Sequence, residues 1–321
     1  MLEHLLRRLG QSVLVLLAVS FIAFAVFRHI GDPTISLLGD DATLEERRAL
    51  TAELGFDGPV YRQYLAYVGR ALHGDLGVSY RLKRPVAELI AERLPATLEL
   101  ALVASLFAVG GGVVLGVYTA VRREGWLSKA IMTVSLVGVS LPTFLIGIGL
   151  IYLFAVELRW LPSFGRGGLT AVGGWQTGLL TGAGWASLVM PAFTLGFYKL
   201  TLIMRLVRAE MLEVLRADHI RFGRARGLRE RDLLFGHALR NTLVPVITIT
   251  GLQIGSLVAF AIVTETVFQW PGVGLLFISS IQGVDVPVVA AYLLLIALLY
   301  VLINLVVDLL YLLVDPRLRH S

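Results

Sequence analysis

Measured between charged residues, six runs of apolar and neutral positions divide the chain: Leu9 to Phe27, Leu100 to Val121, Ala130 to Val156, Gly167 to Tyr198, Asn241 to Thr264 and Val286 to Val307. Each can supply the roughly 20 residues a helix needs to cross about 30 Å of hydrocarbon. The fourth run opens with Gly167, Gly168, Gly173, Gly174, Gly178, Gly182 and Gly184. Its span is therefore expected from about Ala186 to Leu206, with the glycines in an outer loop or shallow re-entrant piece. That span carries Lys199. The pattern predicts an all-α membrane protein with six transmembrane helices.

An even number of spans puts both termini on one side. The short segments with Arg7 and Arg8, with Arg122, Arg123 and Lys129, with the Arg-rich stretch after Leu206, and with Arg317 and Arg319 all fall on one face. Basic residues accumulate on the cytoplasmic side, so the expected topology is N-in, C-in. The segment from Arg28 to Pro95 is too long for that count and is expected outside. Arg7 and Arg8, the apolar run and the Ala-x-Ala of Ala23 and Ala25 also resemble a cleaved signal. The run continues past that point for a full crossing, which favours an uncleaved first span. The expected division is residues 1–27 as N-terminal segment and first span, 28–95 as a helical extracytoplasmic insertion, and 96–321 as the core.

Within the insertion, Thr43 to Glu46 fits a capping box opening a helix that Gly55 closes. Tyr61, Tyr64, Leu65, Val68 and Leu72 share one helical face. Pro85 opens a helix from Val86 to Leu94 that Pro95 ends. The insertion can cap the helix ends or offer a platform to an external partner. Gly112 with Gly116, and Gly251 with Gly255, would let helices approach closely.

Composition agrees: 56% of residues are hydrophobic, 16% are charged and the mean hydropathy is +0.78. A soluble globule is less apolar. The net charge of +5 follows from basic residues flanking the spans, so nucleic acid is not implied. With no cysteine, disulfides, thiolate metal sites and thiol nucleophiles are excluded. No G-x-x-x-x-G-K-[ST] loop, H-E-x-x-H or G-x-S-x-G occurs, and the six His are scattered. No catalytic or metal site is expected in this chain, and any ATP must be hydrolysed by another subunit. Ionisable groups inside the spans are few. Lys199 either faces a pathway or snorkels to the cytoplasmic edge; Glu265 and Asp308, at span ends, are expected at the interface.

The longest charged segment lies between the fourth and fifth spans, at about 207–243, with nine Arg from Arg205 to Arg240. Met211, Leu212, Leu215, His219 and Phe222 recur at near-helical spacing, and Gly227 can stop the helix in a left-handed conformation. A second helix is expected near Arg229, with Glu230 and Asp232 acidic in its first turn. The two would form a rigid knob parallel to the membrane, fitted to a groove on a cytoplasmic protein. A basic lipid anchor would need neither the corner nor the interleaved acids.

Over essentially its whole length the chain resembles the permease subunits of binding-protein-dependent ABC importers, specifically the B-type permease of the dipeptide, oligopeptide and nickel group. The matching stretches are GDP at Gly31 to Pro33, HGDLGVSY at His73 to Tyr80, RPVAELIAERLPATLEL at Arg84 to Leu100, MLEVLRADHIRFGRARGL at Met211 to Leu228, HALRNTLVPV at His237 to Val246, ETVFQWPGVG at Glu265 to Gly274 and NLVVDLLYLLVDPRLR at Asn304 to Arg319. The resemblance implies a type I importer permease fold. The Arg-rich loop would be the EAA loop, whose coupling helix docks in a cleft of the ATPase. Ala225, Arg226, Gly227, Leu228, Glu230 and Asp232 are then contact candidates, with Arg221, Phe222 and Gly223 in the place of the E-A-A triplet. The group commonly shows RTARAKG where this chain has RFGRARG. Implied partners are a second homologous permease, two cytoplasmic ATPases carrying ATP and Mg, and an extracytoplasmic substrate-binding protein, in a bacterial or archaeal inner or plasma membrane. Peptides are the group's commonest cargo; nickel chelates, glutathione and other small solutes are alternatives. From a different class, a passive channel or secondary carrier would leave the Arg-rich loop dispensable.

Overall fold

The computed structural model describes residues 2–29, Thr43, Glu45 and residues 59–314. The helix expected from Thr43 to Gly55, the GDP at Gly31 to Pro33, and Arg317 and Arg319 lie outside these. The elements in order are α1 (Leu2–His29), α2 (Val60–Leu72), α3 (Val86–Val121), α4 (Trp126–Ser140), α5 (Thr143–Leu150), β1 (Thr170–Val172), β2 (Trp175–Thr177), α6 (Gly182–Val214), α7 (Asp218–Ala225), α8 (Leu239–Val267), α9 (Val273–Gln282) and α10 (Val286–Val314). Wider π turns extend α5 through Ile151–Glu157 and lead into α8 through Asp232–Ala238.

Helices α1, α3, α6, α8 and α10 are each long and apolar enough to span a membrane. The pair α4 and α5, which the sequence pattern treats as one span, is bent by 112°; it makes a sixth crossing if the two halves form one broken span, and a re-entrant element otherwise. Pro142 is the cause: its ring disfavours helical backbone at the preceding residue, and Leu141 is extended (φ −90°, ψ 136°). Pro95 behaves in the opposite way. It does not end a short helix; α3 runs through it for 36 residues, so the expected Val86–Leu94 helix and the second span are one rod. Proline is tolerated inside spanning helices where neighbours satisfy the freed backbone. The glycine-rich stretch before α6 holds a two-stranded hairpin, with Val172 opposite Trp175 and Gly173 at φ +62° in the turn. Thr181 then caps α6, accepting the amide of Gly184 at 3.0 Å.

The contacts define two units. The first comprises residues 96–270 and 302–314 of those described. One core cluster sets Ala96, Leu100 and Ala104 of α3 against Leu188, Ala192 and Leu195 of α6 and Leu257 and Ala261 of α8. A second gathers Ile203, Val207 and Met211 of α6 with Ile220, Ala238 and Val246. Gly112 and Gly116 make this packing possible: a Cβ on them would meet Ile203 Cγ2 at 2.7 Å and Val207 Cβ at 2.6 Å. Gly251 faces Val307 in the same way, and Gly255 is buried.

The second unit comprises residues 2–29, Thr43, Glu45 and residues 59–95 and 271–301 of those described. Tyr64 and Tyr67 of α2 pack on Phe24 of α1, and the Tyr64 and Ser20 hydroxyls are hydrogen-bonded at 2.7 Å. The buried face of α2 is therefore not the expected stripe, since Tyr61, Leu65 and Leu72 are exposed and Gln63 is buried. Buried Asp285, just before α10, accepts the Ser79 hydroxyl at 2.5 Å and the Tyr80 amide at 2.9 Å, fixing the HGDLGVSY stretch.

Candidate coupling segment and buried polar sites

The helix expected from Glu210 to Gly227 is not continuous: α6 carries the chain into the Arg-rich stretch and then stops. Helix α6 ends at Val214, the chain turns through Leu215 to Ala217, where Ala217 is extended, and α7 begins at Asp218. Met211 thus belongs to the spanning helix, while His219 and Phe222 are exposed and α7 buries Ile220 and Gly223. At its other end, the Leu228 amide donates to the Gly223 carbonyl (3.2 Å) and the Gly227 amide to the Arg224 carbonyl (3.0 Å). This is the Schellman arrangement, and it requires the left-handed backbone that Gly227 provides at φ +78°. The next helix does start after Arg229, whose carbonyl accepts the Asp232 and Leu233 amides. It is not a separate surface helix, since it runs through the π turns into α8.

Of the nine candidate contact residues, Arg221, Phe222, Ala225, Arg226, Gly227, Leu228, Glu230 and Asp232 are exposed and Gly223 is buried. Gly223 faces inward, where a Cβ would come 2.7 Å from Leu233 Cδ2 and 3.3 Å from Leu228 Cδ1. A side chain at this position would have to displace the tip of Leu233 beneath the corner. Phe222 projects outward at 64% exposure, with the Arg226 guanidinium 5.7 Å from its ring centre. Arg224 braces the corner through two hydrogen bonds to Glu230, of 2.8 and 3.3 Å, and this bonding raises the guanidinium pKa. That pair was not singled out from sequence; opposite charges six residues apart, flanking the glycine, were the available signal. The segment is an exposed basic and apolar surface on a corner fixed by Ile220 and Leu233.

Lys199 sits near the middle of α6 and is buried. It does not run along the helix to its end; its Nζ donates to Gln253 Oε1 of α8 at 2.5 Å and lies 5.5 Å from the Tyr198 ring. Glu265, expected at the interface, is fully buried and accepts the Thr97 hydroxyl at 2.5 Å. The sequence also gave no warning of Glu99, which the run boundary at Leu100 placed outside the second span. It is buried on α3 and paired with Arg166 at 2.5 Å, while the Trp175 indole and the Gly178 amide donate to it at 3.4 Å. The same Arg166 nitrogen reaches the Gln176 carbonyl at 2.7 Å. One ion pair thereby fastens the β1–β2 hairpin to α3.

Five helices of spanning length and an exposed, Arg-rich corner between two of them describe a multi-pass membrane protein. Residues 112–320 match the family described as binding-protein-dependent transport system inner membrane component, and residues 1–101 match its N-terminal region. The chain belongs to that family, an inner-membrane component of a transport system. It is 42% identical over 337 residues to the di/tripeptide transport system permease protein DppB of Pseudomonas aeruginosa and 40% identical over 340 residues to the dipeptide permease DppB of Escherichia coli K12, each covering 100% of both chains. It is 37% identical over 323 residues to the glutathione permease GsiC of an Escherichia coli strain, again over 100% of both. Among solved structures, a chain of the inward-facing MetNI methionine ABC transporter matches with a TM-score of 0.57 at 20% identity, covering 71% of this chain and 97% of that one. The fold is that of a type I importer permease.

Proposed function

We propose that this chain forms half of the translocation pathway of an ATP-driven importer for short peptides. The observation that carries it is full-length identity of 40–42% to permeases named for di- and tripeptide transport. The partners are a second homologous permease, two cytoplasmic ATPases holding ATP and Mg, and an extracytoplasmic binding protein that delivers the peptide. Residues 28–95 lie outside and the 207–243 segment inside. Phe222, Arg226, Leu228, Glu230 and Asp232 present the surface that the ATPase grips, and Gly227 fixes the corner that transmits its movement. A corner held by backbone hydrogen bonds moves as one body, so closure of the ATPases shifts α6 and α8 together and alternates access. Lys199 belongs to the polar interior of this half of the pathway.

Co-expression with its neighbouring permease and ATPases tests this. The reading expects a stable complex whose ATPase rate rises several-fold with peptide-loaded binding protein. Stimulation only by glutathione- or nickel-chelate-loaded protein would change the cargo and keep the permease role. Failure to retain any ATPase, with solute flux persisting, would favour a channel or carrier.

A further inference from the structure

The second unit contains a half-open, apolar groove of about 480 Å³, walled by Leu17 and Ser20 of α1, Tyr67 and Val68 of α2, and Leu294 and Leu298 of α10. Its volume lies in the range of sites that enclose a small ligand, roughly 300–1,000 Å³. Two of its walls are helices of membrane-spanning length. The third, α2, lies along the apolar stretch of α1: its Tyr64 and Tyr67 rings meet Phe21, Phe24 and Phe27. A helix held at that level borders hydrocarbon, and its other side agrees, because Tyr61, Leu65 and Leu72 are exposed. This is the two-sided pattern of a helix embedded at a bilayer interface.

The rim adds a charge. Arg70 is one turn from Tyr67 and immediately precedes Ala71, which also lines the groove. Its side chain is exposed and pairs with no carboxylate among the described residues. Burial pushes the Tyr67 hydroxyl up to about 12 against the pull of Arg70, so it remains a neutral donor at physiological pH. An apolar slot open to the bilayer, with an exposed guanidinium and a phenol at its edge, matches a chain tailed by a phosphate.

We propose that this groove holds one acyl chain of an anionic phospholipid, with the headgroup phosphate against Arg70. The assignment is independent of the transported cargo.

The absence of cysteine makes the test direct, since one introduced thiol is unique. Leu294→Cys in the groove and Leu14→Cys, exposed on α1 and not among the groove's lining residues, are each labelled with bimane in the assembled importer, in nanodiscs of phosphatidylcholine containing nitroxide-chain phosphatidylglycerol. The groove label should reach half-quenching at a mole fraction at least threefold below that of the Leu14 label. Leu17→Trp, at a half-exposed position, should abolish the difference without loss of assembly. Arg70→Gln, or a nitroxide on phosphatidylcholine, should raise the half-quenching mole fraction two- to threefold. Equal quenching at both positions would overturn the proposal, as would cross-linking of the groove thiol to residues 30–58 or to the second permease, either of which would be the true occupant. Equal quenching by both lipids would remove Arg70 from the site.

Discussion

At Gly227 the constraint is conformational: φ is +78° and nothing lies within 4 Å of where a Cβ would be. A β-branched side chain there costs about 1–2 kcal/mol of backbone strain without any clash. Gly227→Val should insert normally yet lose at least tenfold in ATP-driven uptake, whereas Gly227→Asn, which tolerates the left-handed region, should retain most of it. Full uptake by the valine variant would remove the corner from the coupling path. Lys199 obeys a different rule. A cation near the centre of a spanning helix costs roughly 2.5–3.5 kcal/mol, offset here by a neutral amide. Gln253→Leu should therefore lower the thermal stability of the purified complex by about 1–3 kcal/mol, because the amine loses its partner. Adding Lys199→Met should restore it. If the double variant is no more stable than the single, the hydrogen bond between them is not what holds the lysine. With Lys199→Met alone, a changed KM for uptake with stability intact is expected of a residue in the pathway interior.

At the scale of elements, the hairpin and the coupling corner each depend on one buried contact. Arg166→Met leaves the Glu99 carboxylate uncompensated in a buried site, which typically costs about 3–5 kcal/mol. The hairpin should then be cut by protease far faster than in the parent, and Glu99→Gln in the same chain should slow that cutting. Unaltered protection in Arg166→Met would show that the ion pair does not fasten the hairpin. In the corner, Gly223→Ala brings a methyl to 2.7 Å from Leu233 Cδ2. It should weaken ATPase association several-fold, and Leu233→Val should recover it; no effect would mean the corner has room to relax. These elements were unevenly legible. The spans were plain because crossing hydrocarbon demands some 20 apolar residues in a row, and Gly227 was plain because few residues take positive φ. Proline gave one signal with two outcomes: Pro142 broke a span after an extended Leu141, while Pro95 was absorbed within α3. Counting between charges hid Glu99, since a run must stop at a carboxylate whether or not it is buried. It also misplaced Glu265, whose burial depends on Thr97, 168 residues away. Short α9, with ten residues, fell below any span criterion.

For the whole molecule, family membership and full-length likeness to peptide permeases agree on an inner-membrane component of a transport system, and the function proposed above makes solute movement depend on ATP hydrolysed by partners that grip the corner. Within the first unit α6 and α8 pack side by side and are joined through the α7 corner. The most direct measurement is uptake of labelled di- and tripeptides into proteoliposomes containing this chain, its partner permease, the ATPases and the binding protein, with ATP inside or withheld. The account predicts accumulation above the external concentration only with ATP, abolished by Gly227→Val. Accumulation to the same level without ATP, or equal uptake by the valine variant, would contradict it.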